Sequence, residues 1–231
     1  HLNSRHPIVY TSADSVLQIA AHEQAFGLTR LYKTCKIAGE IFNDLRVQRI
    51  IARPFLGENK DEFFRTKNRK DFISPPPIDT LCDKVIKSGK KCFGIGKISD
   101  IFGHRGISES VSGMSDDKLF DEMLKIIVKA NAGDLIFANF VEFDTLYGHR
   151  RDVSGYARAL ENFDKKLPKL FSVLSREDFL VITADHGNDP SFPGTDHTRE
   201  QVPVLIKNHN LINKCYGLIN FSDIGSIIEN F

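Results

Sequence analysis

From residue 78 to the end, short apolar, β-branched runs alternate with helical segments, and this alternation limits the fold more than any other feature of the 231 residues. Helical periodicity covers residues 78–87, 116–130, 153–174 and 222–229, and strand-like runs cover 91–95, 135–141, 179–183 and 202–206. Strands separated by helices close into a largely parallel sheet with helices on both faces, an α/β architecture. In such sheets ligands gather beyond the carboxyl ends of the strands, so the residues directly after each strand are the ones to inspect.

Upstream the pattern is looser. A β-branched and aromatic run at 8–11 is followed by Ser12-Ala13-Asp14-Ser15, a cluster with helix-capping chemistry, and a helix is predicted over 16–25. A second helix is predicted over 31–45 and a strand over 48–52, ended by Arg53-Pro54, with a charged polar loop over 57–70. The triplet Pro75-Pro76-Pro77 offers no backbone donors and stiffens the chain toward polyproline II. A domain border is expected there, dividing the chain into 1–75 and 76–231.

Composition narrows the class of partner. With 41% hydrophobic residues, 26% charged residues and a net charge of +1, the chain has no basic excess to favour nucleic acid or an anionic membrane. No apolar run approaches the roughly 20 residues that span a bilayer. Cys35, Cys82, Cys92 and Cys215 are scattered without a CxxC pair and read as reduced core thiols. A cytoplasmic protein is expected. The opening His-Leu-Asn-Ser-Arg-His-Pro has no initiator Met and leads almost at once into a strand, so the beginning is expected to be missing.

Three segments after strands carry chemistry. Residues 135–141 lead to Glu142-Phe143-Asp144 and then His149; residues 179–183 lead to Asp185-His186; and Asp196-His197 follows shortly after. Singly, each Asp or His could be a cap or a hydrogen-bonding partner. Together they form a mixed nitrogen and oxygen donor set, which suits Zn²⁺, Mn²⁺ or Fe²⁺ better than Mg²⁺ or Ca²⁺. Adjacent residues leaving a strand point in different directions, so Asp185 and His186 do not readily close on one ion. A pair of ions fits better, one polarising a phosphoryl group and one activating a nucleophile.

The runs Thr183-Ala184-Asp185-His186-Gly187-Asn188-Asp189-Pro190 and Gly194-Thr195-Asp196-His197-Thr198-Arg199-Glu200 resemble the metal-binding carboxy-terminal signature of the alkaline phosphatase superfamily. Within it, the stretches at 1–16, Ile51-Ala52-Arg53-Pro54-Phe55, and Asn139-Phe140-Val141-Glu142-Phe143-Asp144 leading to Gly148-His149-Arg150-Arg151-Asp152 are similar to the phosphopentomutase family. The resemblance implies a three-layer alkaline-phosphatase-like core with a largely parallel sheet, residues 76–231, and the latter part of a smaller α/β cap domain, residues 1–75.

It also implies two Mn²⁺ ions. Asp144, His149 and His197 would hold one; Asp185 and His186 would hold the other, with a further Asp and a phosphorylated Thr that the family carries upstream of the stretch matching His1. Ser12 and Asp14 would face the sugar, and Arg53, Arg69 and Lys97 would meet the non-transferring phosphate. Without the resemblance, Ser12 and Asp14 read equally as helix caps and Lys97 as a solvated loop lysine. Lys70 stands where many relatives have a His. The implied activity is exchange of phosphate between the 1- and 5-positions of ribose or deoxyribose, with a sugar bisphosphate as activator. A phosphatase or another phosphomutase on the same core, and a silent fragment binding one metal, are the competing readings.

Overall fold

A computed structural model describes residues 1–11, 16–42, 45, 47, 49–210 and 215–231. The chain divides into two units, His1–Ile78 with Asp100–Arg105, and Asp79–Ser99 with Gly106–Phe231.

In the first unit, β1 (Ile8–Thr11) runs antiparallel to β2 (Val16–His22), which lies parallel to β3 (Arg49–Leu56). A parallel pair needs a crossover, supplied by a π-helical turn at Glu23–Gly27 and α1 (Leu28–Phe42). Two short strands, β4 (Phe64–Arg65) and β5 (Lys70–Ile73), pair antiparallel with β3. Leu17, Ile19 and Ala21 of β2, Leu31 and Cys35 of α1, and Ile50 and Ala52 of β3 form the core.

Residues 16–22 are a strand where the sequence suggested a helix. The run Val-Leu-Gln-Ile-Ala-Ala is buried almost throughout, so it shows neither strand alternation nor a helical polar face, and pattern cannot separate the two. Seven residues in parallel register with β3 decide for the strand. The expected break at Arg53-Pro54 is also absent, and β3 continues to Leu56. Pro54 offers its carbonyl to Thr66 N at 3.1 Å. Thr66 stands opposite Pro54 in the β4 register, so the proline accepts one ladder bond and forgoes the reciprocal donation, at the point where the β5 pairing has ended at Ala52. β4 and the start of β5 occupy what the sequence presented as a polar loop.

The second unit opens with α2 (Leu81–Lys87), whose first turn is closed by reciprocal bonds between Thr80 and Asp83. There follow β6 (Cys92–Ile95), α3 (Ile98–Ile101), β7 (Glu109–Val111), α4 (Asp116–Lys129) and β8 (Leu135–Ala138). The strands form a parallel sheet in the order β7-β6-β8, as the alternation requires. After a π-helical turn at Phe143–Gly148 come α5 (Val153–Asp164), α6 (Leu167–Val173), the antiparallel pair β9 (Leu180–Ile182) and β10 (Leu205–Lys207), and α7 (Phe221–Glu229). The helix expected over 153–174 is thus two helices, and Pro168 sits in the first turn of α6, where its missing donor costs nothing. β8 stops at Ala138, not at 141, where its partner β6 ends at Ile95, and the carboxylate of Asp116 then takes the backbone N–H of Val141 at 3.1 Å and of Glu142 at 2.8 Å.

Cys35, Cys82 and Cys92 are buried free thiols, and burial pushes the Cys35 thiol up to about 11. Cys215 is exposed, so the expectation of a core thiol fails there. Among the described residues no helix is long and apolar enough to cross a membrane. The core of this unit joins Ile95 to Leu119, Phe120, Met123 and Leu124 of α4 and Leu170 of α6, with Phe163 edge-on to Phe120. Replacing Phe120, 2% exposed, by Ala is expected to cost about 3–5 kcal/mol in denaturant unfolding, whereas Val128→Ala on the exposed face of the same helix should stay within about 0.5 kcal/mol.

Candidate metal centre

The candidate ligands arise from two turns, one beyond β8 of the parallel sheet and one joining the separate antiparallel pair β9 and β10. The π-helical turn after β8 carries Asp144 at its start, and His149 is its C-terminal cap residue. Asp185, His186 and His197 lie between β9 and β10, where an isolated bridge between Gly187 and Thr198 folds the loop back on itself. A Cβ at Gly187 would stand 2.6 Å from Glu200 Cβ, so glycine is what lets the two limbs of that loop close.

These turns bring three imidazoles to one carboxylate. His149 Nε2 lies 3.1 Å from Asp144 Oδ2, and His197 Nε2 lies 3.4 Å from Asp144 Oδ1. The His197 ring stacks on His149 at 4.8 Å and on His186 at 3.8 Å between centroids. Potential ligand atoms of Asp144, His186 and His197 all fall within 4.8 Å of one another. Asp185 is more exposed, with Oδ1 3.8 Å from His186 Nε2.

The donor chemistry suits a divalent cation. His149 Nδ1 lies 2.6 Å from the carbonyl oxygen of Thr195, an acceptor only, so the ring proton belongs on Nδ1 and the lone pair of Nε2 is free to meet a cation. In the neutral ring a nitrogen lone pair and a carboxylate oxygen then face each other at 3.1 Å, an arrangement that a cation between them satisfies.

A family model described as Metalloenzyme superfamily matches residues 90–227, more than half of the chain and all five of these residues. The chain belongs to the metalloenzyme superfamily. This metalloenzyme chain is 52% identical to a phosphopentomutase of Chelativorans sp. over 231 residues, 100% of this chain and 56% of that relative. It is 51% identical to a phosphopentomutase of Chromohalobacter salexigens, covering 97% of this chain and 55% of the other, and 50% identical to one of Legionella pneumophila, covering 99% and 56%. The chain therefore spans little more than half the length of these curated relatives. A solved structure, that of the PH0037 protein from Pyrococcus horikoshii, overlays with a TM-score of 0.48 at 15% identity, covering 77% of this chain and 52% of that one, too slight a likeness to carry an argument.

Of the residues expected to meet substrate, Ser12 and Asp14 lie outside the described residues. Arg53 is half-buried in β3, with Nε donating to Gln18 Oε1 at 2.8 Å. Its guanidinium pKa is held below the usual arginine value by burial first and then by the charges of Arg69 and Arg65. Arg69 is exposed and grips Asp71 with two bonds of 2.8 Å. Lys97 is exposed just beyond β6, after Gly96, where a Cβ would stand 2.1 Å from the carbonyl oxygen of Asn139.

Two residues of the centre were given no role by sequence reasoning. Asn188 donates from Nδ2 to Asp144 Oδ1 at 2.5 Å, and Arg151 donates from Nη1 to Asn188 Oδ1 at 2.6 Å. Both stand inside the runs that carry the family resemblance, but nothing in their spacing separates an orienting amide or guanidinium from an ordinary loop residue. The left-handed backbone of Arg151, with φ at 55°, has no sequence signature.

Asp71 yields a pH prediction. Burial raises its pKa, but the hydrogen bond and charge of Arg69, joined by Arg49, outweigh burial and hold it below the ordinary 3.8. A depressed carboxylate contributes stability above its unfolded pKa and loses it as pH falls through the lower folded value. Asp71→Asn should therefore lower the melting temperature at neutral pH, and the difference from the parent should shrink below about pH 3.8 and vanish in stronger acid, as read by thermal melts across pH.

Proposed function

We propose that the protein is a phosphopentomutase, interconverting the 1- and 5-phosphates of ribose or deoxyribose through a phosphoenzyme. The observation that carries this reading is identity of 52% along the whole chain to a phosphopentomutase, with candidate metal ligands grouped beyond the strand ends. In this proposal residues 1–75 belong to a cap domain and 76–231 to the metal-binding core. The phosphorylated threonine and one further metal-binding Asp come from outside these residues.

Asp144, His149 and His197 would hold one Mn²⁺ and Asp185 and His186 would contribute to a second, and the ions would supply Lewis-acid polarisation of the phosphoryl group. The chain's own groups supply recognition and order. Arg53 and Arg69 form a cationic patch with Arg65, and the repulsion that, after burial, lowers the Arg53 pKa would be relieved by a phosphate dianion among them. Lys97 is proposed as a further phosphate-binding cation, and Ser12 and Asp14 as acceptors for ribose hydroxyls. The Thr195 carbonyl keeps the His149 ring in one tautomer. A sugar bisphosphate would prime the threonine, and a cytoplasmic setting accords with the free buried thiols.

A phosphatase on the same core is the reading to be separated. The full-length protein loaded with Mn²⁺ is expected to convert ribose 1-phosphate to ribose 5-phosphate, to stop on chelation, and to show little hydrolysis of aryl phosphates. Asp144→Ala should lower turnover by at least the 10–100-fold typical of removing an outer-shell partner. Preferential hydrolysis of the aryl ester would sink the mutase reading.

A further inference from the structure

The hydrogen-bond chain behind Asp144 does more than fill space. Arg151 makes five bonds, all to neutral oxygens. Nη1 reaches the carbonyl of Gly148 at 3.0 Å, Asn188 Oδ1 at 2.6 Å and the carbonyl of Asp189 at 3.1 Å; Nε reaches the carbonyl of Gly194 at 2.6 Å; and Nη2 reaches the carbonyl of Asp196 at 2.5 Å. One guanidinium thus ties together the turn that carries His149, the limb that follows His186 and the loop that carries His197.

It also settles the direction of the Asn188 amide. A guanidinium has no acceptor, so the atom that meets it must be the amide oxygen, and the NH₂ must face the other way, toward Asp144 Oδ1 at 2.5 Å. Asn188 is 7% exposed and has no room to swing. A third observation is independent of these bonds: a Cβ at Gly148 would lie 2.4 Å from Asn188 Nδ2 and 2.7 Å from its Cγ. The absence of a side chain at Gly148 is what admits the amide to the carboxylate.

We infer that Asn188, oriented by Arg151 and admitted by Gly148, is a positioning residue that fixes the rotamer of the Asp144 carboxylate for metal binding. The amide occupies one lone pair of Oδ1, so the carboxylate keeps Oδ2 toward His149 and the rest of Oδ1 toward His197. The inference rests on the metal-binding reading of this site. Outer-shell partners of this kind are typically worth 10–100-fold in metal affinity.

The test uses the full-length protein stripped of metal, titrated with Mn²⁺ by calorimetry and with Co²⁺ by visible absorption. Asn188→Ala is expected to weaken Mn²⁺ binding about 10–100-fold, and to change the Co²⁺ absorption envelope even at saturation. Gly148→Ala breaks the same contact with Asn188 and Arg151 intact, and it carries the test should Asn188→Ala fail to fold. Arg151→Lys, which keeps the charge but loses the fork, should recover part of what Arg151→Ala loses. Parent-like affinity in Asn188→Ala or Gly148→Ala overturns the positioning role, and so does weaker binding with an unchanged saturated Co²⁺ spectrum, the pattern of a merely loosened fold. If the unaltered protein binds neither ion, the metal reading itself falls and takes this one with it.

Discussion

The parallel register of β6 and β8, which sets Cys92 against Leu135 and Ile95 against Ala138, determines where the candidate centre can be. A parallel pair obliges the chain to cross over, and α4 is part of that crossover, packing Leu119, Phe120, Met123 and Leu124 into the core. The same helix begins with Asp116, whose carboxylate takes two backbone donors just past β8. Those donors are withdrawn from any further strand pairing, so the chain leaves the sheet and enters the turn that bears Asp144. Burial raises the pKa of Asp116 against the lowering effect of those two N–H groups. A sheet register is thus converted into the position of one carboxylate by a single half-buried side chain. Gly96 completes the geometry, because only a residue without Cβ and tolerant of φ near 74° lets the end of β6 approach Asn139 so closely.

Beyond the sheet, apolar packing no longer holds the structure, and polar bonds take over. The loop between β9 and β10 is mostly exposed, and it is ordered by one bridge, by Arg151 and by hydrogen bonds such as Asp189 N to Thr198 Oγ1 at 2.7 Å. Arg151 adopts a left-handed backbone at a cost of order 1–3 kcal/mol. Charge-assisted bonds contribute roughly 1.5–3 kcal/mol each, so even two of its five outweigh that cost. A rigid polar frame of this kind suits a site whose ligands sit on loops, since loops cannot otherwise hold a carboxylate and three rings to a few tenths of an ångström.

How much of this could be read from the residues depends on which force wins locally. In the second unit apolar periodicity and tertiary packing agree, and α2, β6, α4, β8, β9 and α7 fall within a few residues of their expected places. Elements whose pattern is cancelled by burial on both faces go wrong, as residues 16–22 do, and β8 falls short of its expected end because β6 runs out opposite Ala138. Pro54 misled for a related reason: a proline forfeits one donor, and the pairing of β3 with β2 on one side and β4 on the other carries the strand past that loss. In the candidate centre, the Asp and His residues that the structure groups could be picked out as candidates because metal chemistry restricts ligands to few residue types. Asn188 and Arg151 were not, because an orienting bond leaves no mark in composition or spacing.

The same logic bears on charge. A net charge of +1 implies no long-range field, so any anion must be held by local imbalance. The first unit contains one. Asp71 neutralises Arg69 and lies 3.5 Å from Arg49, while Arg53 donates to the neutral amide oxygen of Gln18 and feels Arg69 and Arg65, offset in part by Tyr10 and Asp71. The Gln18 bond fixes the direction of the guanidinium without discharging it. Asn188 does the equivalent for Asp144 in the second unit, meeting a charged group with a neutral amide that orients it and leaves its charge available. A carboxamide suits both tasks, because it orients a charged group without the neutralisation that a salt bridge would bring.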